Sequence, residues 1–187
     1  MITLYCVDCR AALEASGERC GACGREYKRD HGILVLWPKE MPSLALEEAH
    51  HHDHDDGDAA DVHQLNASRN RYYHERLWCE LQAQPVGSAF IEIGAGTGHD
   101  AAQFVGKYDL LLTDVSPHTL ERTAAKLGHE RVQYAAAEGA HLPVGNASVN
   151  ALYMVATFHH LPDPAAAVRE YARVLKPGGV VAIAIEP

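Results

Sequence analysis

The sequence predicts an α/β protein: a parallel sheet with helices on both faces, ending after its fifth strand and preceded by a small cysteine-rich ribbon. Three observations carry this. Between residues 89 and 185, short runs that are apolar throughout alternate with helix-forming segments, the mark of parallel strands buried on both faces. A Gly-rich turn, Gly94-Ala95-Gly96-Thr97-Gly98, follows the first of these strands. Four of the five cysteines fall within the first 23 residues.

The ribbon comes first. Cys6-Val7-Asp8-Cys9 and Cys20-Gly21-Ala22-Cys23 form two C-x2-C pairs separated by ten residues. Two residues between thiols let a tight turn aim both sulfurs at one ion, and two such turns complete the tetrahedral four-sulfur shell that structural zinc prefers. Gly21 and Gly24 suit the second turn. A stretch of about 40 residues has too little core to fold alone, so the metal would supply much of its stability. The alternative is unpaired thiols in a loop, or a redox pair. An apolar strand, Gly32-Ile33-Leu34-Val35-Leu36-Trp37, closes the ribbon at Pro38.

Residues 41–65 hold seven acids and no Lys or Arg and include His50-His51-His52-Asp53-His54. No hydrophobic period survives there, so the stretch reads as a linker. Its imidazoles and carboxylates are also competent ligands for Zn, Ni or Cu, which leaves a metal-responsive segment as the alternative.

A helix is expected over 68–82, where Tyr72, Tyr73, Leu77 and Leu81 recur at helical spacing ahead of Pro85 and Gly87. Strands follow over 89–93, 110–113, 132–135, 151–155 and 180–185, with helices from the Gly-rich turn to about 105 and over 116–127 and 164–175. The domain boundaries are therefore 1–40 for the ribbon, 41–65 for the linker and 66–187 for the α/β domain.

Composition excludes several classes. No apolar stretch approaches the length of a membrane-spanning helix. The start, Met1-Ile2-Thr3-Leu4-Tyr5-Cys6, lacks a basic region followed by a long apolar run, and this predicts a cytoplasmic protein. An odd cysteine count without such a leader does not suit a disulfide framework. The net charge is −9, from 25 acids against 16 bases. Neither the ribbon, with six bases and six acids, nor residues 66–187, with ten and twelve, carries a basic stripe. A nucleic-acid substrate is therefore not expected.

The Gly-rich turn sits within Glu92-Ile93-Gly94-Ala95-Gly96-Thr97-Gly98. The dinucleotide fingerprint G-x-G-x-x-G would need glycine at 99, where His99 stands. The pattern E-x-G-x-G-x-G instead resembles the first motif of the class I S-adenosylmethionine-dependent methyltransferases. Four further features agree in order. Asp114-Val115-Ser116-Pro117 ends the second strand, and a carboxylate there can accept hydrogen bonds from both ribose hydroxyls. Ala137-Glu138-Gly139-Ala140-His141-Leu142-Pro143 resembles the family's third-strand exit, with Glu138 in place of Asp and able to bond the adenine amino group. Phe158-His159-His160-Leu161 follows the fourth strand, as in quinone-type methyltransferases. Leu175-Lys176-Pro177-Gly178-Gly179 precedes the fifth. The resemblance covers residues 89–187 and implies a Rossmann-like fold that binds S-adenosylmethionine through Glu92, Gly94, Ala95, Gly96, Gly98, Asp114, Val115, Glu138 and Gly139. Tyr73 or Tyr72 would close over the cofactor, the other serving as core. Residues 4–38, with Tyr27 two residues beyond Gly24-Arg25, resemble the zinc-ribbon proteins that partner tRNA and rRNA methyltransferases, and the ribbons fused ahead of some bacterial methyltransferase domains.

Methyl transfer from a sulfonium chiefly requires positioning and exclusion of water, with a base only where the acceptor must lose a proton. His159 and His160 are the candidates for that base; a loop histidine that only packs is the bland alternative. The expected function is methyl transfer to O, C or N of a small-molecule acceptor. A non-catalytic cofactor-binding or activator subunit and an RNA methyltransferase remain as alternatives. Two departures from the family stand out. Asn150 replaces an acid at the fourth strand, and the chain ends at Pro187 after the fifth strand, where two more are usual. The strand 180–185 is expected to be buried on both faces yet open at its edge, paired there with a second copy or another subunit.

Overall fold

The computed structural model describes residues 1–54, 68 and 71–186. The elements are β1 (Arg29–Asp30), β2 (Ile33–Val35), α1 (Ser43–His54), α2 (Arg76–Gln82), β3 (Ala89–Ile93), β4 (Asp109–Asp114), α3 (Pro117–Leu127), β5 (Val132–Ala136), β6 (Val149–Val155), α4 (Pro164–Val174) and β7 (Leu175–Ala184). The expected α/β domain is present, and its sheet has seven strands in the order β1-β2-β5-β4-β3-β6-β7. All pairings are parallel except β1 with β2.

The two additional strands come from the ribbon. β2 runs parallel to β5, with Leu34 opposite Ala135 and Val35 opposite Ala136. The Leu36 amide extends the ladder by donating to the Ala136 carbonyl at 2.7 Å. A parallel edge left bare would expose unpaired backbone groups, and β2 covers this one. Side-chain packing also crosses the expected boundary at residue 40. Ile2, Cys6, Val7, Cys20, Tyr27, Leu34 and Leu36 share a core with Ile91, Leu111, Leu152 and Met154 of the sheet and Tyr171 and Val174 of α4. The other face is covered by α2 and α3, where Leu77, Leu81 and Leu120 join Phe90, Phe104, Tyr108 and Tyr153.

Three elements differ from expectation. Residues 43–54, read as linker, form α1; Ala45 and Ala49 face inward at 3% exposure each, and this i, i+4 pair of small residues packs the helix on α3. The histidines of the tract, His50 to His54, fall at the end of α1, and the acid-rich stretch that follows, 55–67, lies outside the described residues. The helix expected over 68–82 is wound as a π-helical turn, Arg71–Glu75, running into α2. The helix expected after the Gly-rich turn is a short 3-10 turn, Ala101–Gln103, which tucks Phe104 edge-on against Phe90.

β7 starts earlier than expected. Val149 pairs with Leu175 and Ala151 with Val180, so residues 176–179 bulge out, with Gly178 at φ +79°. Nor is β7 buried on both faces. Val180, Ala182 and Ala184 pack inward, whereas Val181 and Ile183 remain 41% and 43% exposed. Asn150, though uncharged, serves as an acceptor, taking hydrogen bonds at Oδ1 from the Ala89 amide and the Lys176 ammonium.

One ion network fastens ribbon to domain. Glu170 on α4 accepts from Arg173 at 2.6 Å, from Arg10 of the ribbon at 3.1 Å, and from the Leu142 amide at 3.0 Å. Burial alone would raise its pKa, but the arginines outweigh that and hold it below the ordinary value of 4.5. Glu170→Ala leaves the Leu142 amide without its acceptor and the Arg173 charge without its carboxylate, although Arg173 keeps its bonds to Leu142, Val144 and Asn146. It is expected to cost about 3 kcal/mol by chemical denaturation, the low end for a broken buried pair because Arg10 is half exposed. A lowered carboxylate pKa adds stability above the unfolded value and loses it as pH falls through the folded one. The difference between the two proteins should therefore shrink below about pH 4.5.

Candidate functional site

A cavity of about 310 Å³ opens at the carboxyl ends of β3, β4, β5 and β6. This is the switch point where the chain turns from β4 and β5 on one side of β3 to β6 on the other, the usual place for a ligand in such sheets. The volume lies at the small end of the range for ligand sites.

The Gly-rich turn forms one wall. Gly94 has φ +67°, and a side chain there would run into that of Thr157. Gly98 has φ +69°, and its Cβ would sit 2.7 Å from Thr123 and 2.8 Å from Leu127 of α3. Both positions thus need glycine twice over, for conformation and for space. Asp114 ends β4 and is fixed at both oxygens: Oδ2 accepts from the Gly96 amide at 3.1 Å and Oδ1 from the Ser116 amide at 3.0 Å. Ser116 also caps α3 by accepting from Thr119. At the exit of β5, Glu138 Oε2 accepts from the Ala140 amide and from His141 Nδ1, at 2.9 and 2.7 Å. That bond raises the His141 pKa.

Glu92, Gly94, Ala95, Gly96, Asp114, Val115, Glu138 and Gly139 all line the cavity. Gly98 shapes the wall from behind. Tyr73 is not among the described lining residues; its ring packs edge-on against Tyr72. The histidine pair divides. His160 lines the cavity, and His159 does not.

Asp100, Tyr153, Ala156, Glu186 and Glu48 escaped the sequence reading. Asp100 lines the cavity and accepts from His74 Nδ1 at 2.9 Å and from Trp78 Nε1 at 2.7 Å. This ties the π-helical turn and α2 to the Gly-rich loop. Glu92 is fully buried and accepts from the Tyr153 hydroxyl, its cross-strand partner, at 3.1 Å. Burial first, and then the charges of Asp100 and Asp114, push its pKa well above the usual carboxylate range. Ala156 adopts φ +50° after β6, a conformation that costs a non-glycine residue about 1 kcal/mol. Its amide is held by the Ala184 carbonyl of β7. The next turn, Phe158–His160, is clamped by Glu186, which accepts from the amides of Thr157, Phe158 and His159 and from His159 Nδ1. Burial opposes ionisation of Glu186, but these bonds prevail and lower its pKa. His160 Nδ1 meets Glu48 Oε1 of α1 at 3.2 Å, and Glu48 and Ala45 roof the cavity. Among the described lining residues there are five carboxylates and no Lys or Arg.

The ribbon gathers Cys6, Cys9, Cys20 and Cys23, with all four sulfurs within 4.8 Å of one another. Each C-x2-C is a tight turn: Arg10 bonds back to the Cys6 carbonyl and Gly24 to the Cys20 carbonyl. Both closing residues have positive φ, +61° at Arg10 and +73° at Gly24. The glycine advertises the second turn in the sequence, and Arg10 conceals the first. Tyr27 lies 3.1 Å from the Cys6 sulfur.

The family model described as "Methyltransferase domain" matches residues 91–183. The O-methyltransferase cnsE of Penicillium expansum is 31% identical over 104 residues, covering 52% of this chain and 38% of that protein. The chain spans less than half the length of such curated relatives. The YcgJ protein of Bacillus subtilis is similar in structure at TM-score 0.54 and 27% identity, over 59% of this chain and 50% of that one. A complex of the Haloferax volcanii Trm112 methyltransferase activator with a methyltransferase shares the fold over 78% of this chain and 61% of that one, at TM-score 0.55 and 20% identity. Residues 91–183 therefore belong to the class I S-adenosylmethionine-dependent methyltransferase family, with its Rossmann-like sheet.

Proposed function

We propose that the cavity binds S-adenosylmethionine and that the chain methylates an oxygen of a small-molecule acceptor. The observation that carries the reading is Asp114. Its carboxylate is held at the cavity wall by two backbone amides, at the end of the strand beside the Gly-rich turn, where a nucleoside's ribose hydroxyls can reach it. The carboxylate-rich lining without Lys or Arg suits a ligand that carries sulfonium and ammonium cations. The glycine wall, where a Cβ at Gly94 would collide with Thr157, leaves room for close approach of that ligand.

When bound, S-adenosylmethionine supplies an already activated methyl group. The chain's own residues do the rest. Asp114 accepts the ribose hydroxyls, Glu138 offers its remaining oxygen to the adenine amino group, and the Gly94–Gly98 backbone bounds the amino-acid portion. His160 takes the proton of the acceptor, and α1 shields the cavity from water. Oxygen is preferred over carbon or nitrogen because a curated relative is named as an O-methyltransferase. The four ribbon thiols hold one zinc ion in a structural role, since all four sulfurs are needed to close its shell. The exposed Val181 and Ile183 of β7 favour pairing or packing with a further segment there, from this protein or a partner.

Asp114→Ala should weaken S-adenosylhomocysteine by roughly 5- to 150-fold, about 1–3 kcal/mol for two lost acceptor contacts. Calorimetry on the folded variant checks this, and an unchanged affinity refutes the assignment. Incubation with methyl-labelled S-adenosylmethionine and a cell extract should place label in small-molecule ethers and none in RNA. His160→Ala should slow that transfer about 100-fold, within the range of general-base contributions. Metal analysis of protein lacking residues 50–54 should still give about one zinc per chain, lost when Cys6 and Cys20 are replaced. Metal that disappears with the His-rich segment would overturn the ribbon site.

A further inference from the structure

The helix α1 occupies a stretch that composition assigns to a linker, yet it brings a carboxylate to the mouth of the cavity. Ala45 and Glu48 line the cavity, and the buried Ala45 and Ala49 seat the helix on the domain. Glu48 Oε1 lies 3.2 Å from Nδ1 of His160, which lines the same cavity. An ionised carboxylate can only accept a hydrogen bond, so Nδ1 must carry the proton. A neutral imidazole has one N–H, and Nε2 is then left with its lone pair. The neighbouring His159, with its ring centroid 4.0 Å away, is held by a different carboxylate, Glu186, and stays out of the cavity. The two histidines thus look alike in the sequence and differ in place, each with its own carboxylate from a distant part of the chain.

We infer that Glu48 is a positioning residue that fixes His160 in the Nδ1–H tautomer, so that Nε2 serves as base for an acceptor hydroxyl. This rests on the methyltransferase reading. As the acceptor oxygen bonds to the methyl carbon, the carbon–sulfur bond breaks and its electron pair stays on sulfur, which becomes a neutral thioether. The hydroxyl proton passes to Nε2, and the resulting imidazolium is stabilised by Glu48. A hydroxyl needs such a base, because its oxygen is a weak nucleophile until the proton leaves. A neutral amine attacks through its own lone pair and would gain little from a tautomer-locked imidazole.

The test uses the full chain labelled with nitrogen-15 histidine, above neutral pH, with the His160 signals assigned through His160→Gln. The wild type should show protonated Nδ1 and bare Nε2. Glu48→Ala should move the proton to Nε2, and Glu48→Gln should keep it on Nδ1, because the amide oxygen accepts the same bond. Protonated Nε2 in the wild type, or no change in Glu48→Ala, overturns the inference. S-adenosylhomocysteine titration of the wild type is separate: absence of binding there sinks the methyltransferase reading and leaves the tautomer result standing. On the acceptor found by label transfer, Glu48→Ala should lower kcat roughly 10- to 100-fold, part of what a positioned base contributes, with KM for the methyl donor nearly unchanged and Glu48→Gln restoring most of the rate. A tautomer that moves without any loss in kcat, or label found only on amines, overturns the role as base.

Discussion

A parallel sheet must be buried on both faces and sealed along its edges, and this constraint shapes the rest of the protein. On one face α2 and α3 cover the strands with Leu77, Leu81 and Leu120. On the other, α4 covers only part of the sheet, and the ribbon completes the layer with Ile2, Val7, Tyr27, Leu34 and Leu36. The same ribbon seals the β5 edge through β2. A unit too small to build its own core therefore acts as a missing layer of a larger one.

The cavity concentrates negative charge, which is costly unless each carboxylate is compensated. The compensation differs at each position. Asp114 and Glu138 are held by backbone amides, with His141 added at Glu138. Asp100 takes two side-chain donors, His74 and Trp78. Glu92 accepts from the Tyr153 hydroxyl and the Ala101 amide, yet burial and its acidic neighbours drive it toward its neutral form. Fixed carboxylates of this kind would be preorganised for the cationic ligand proposed above, since they need not reorient when it arrives.

Much of this was legible in the sequence. Strands apolar throughout gave the parallel sheet, and Gly94, Gly98, Asp114 and Glu138 declared themselves because steric freedom and charge at a strand end follow from residue type and order. What escaped depends on contacts between distant segments. Glu186 clamps a turn 27 residues away, and Glu48 reaches His160 across 112 residues. α1 escaped because its buried face is two alanines, too slight a hydrophobic signal beside its acids and histidines. The pairing of β2 with β5 escaped because an apolar strand advertises burial but not its partner. Composition marks the Val180–Ile185 stretch as buried on both faces, whereas Val181 and Ile183 of β7 lie 41% and 43% exposed, because an apolar run advertises burial but not how far the neighbouring helix reaches along the strand.

The ribbon and the cavity are mechanically continuous. β2 holds β5 as far as Ala136, through the Leu36 amide, and Glu138 lies two residues on. From the other side, Arg10 of the ribbon and Arg173 of α4 converge on Glu170, whose second oxygen fixes the Leu142 amide. The loop from Ala137 to Leu142 is therefore pinned at both ends by contacts in which the ribbon takes part. Within it the Glu138 carboxylate is fixed by the Ala140 amide and His141, so its orientation toward the cavity depends on the path of that loop. A four-cysteine knot at one end of the molecule thereby helps set the geometry of a carboxylate in the cavity, without any ribbon residue lining the cavity itself.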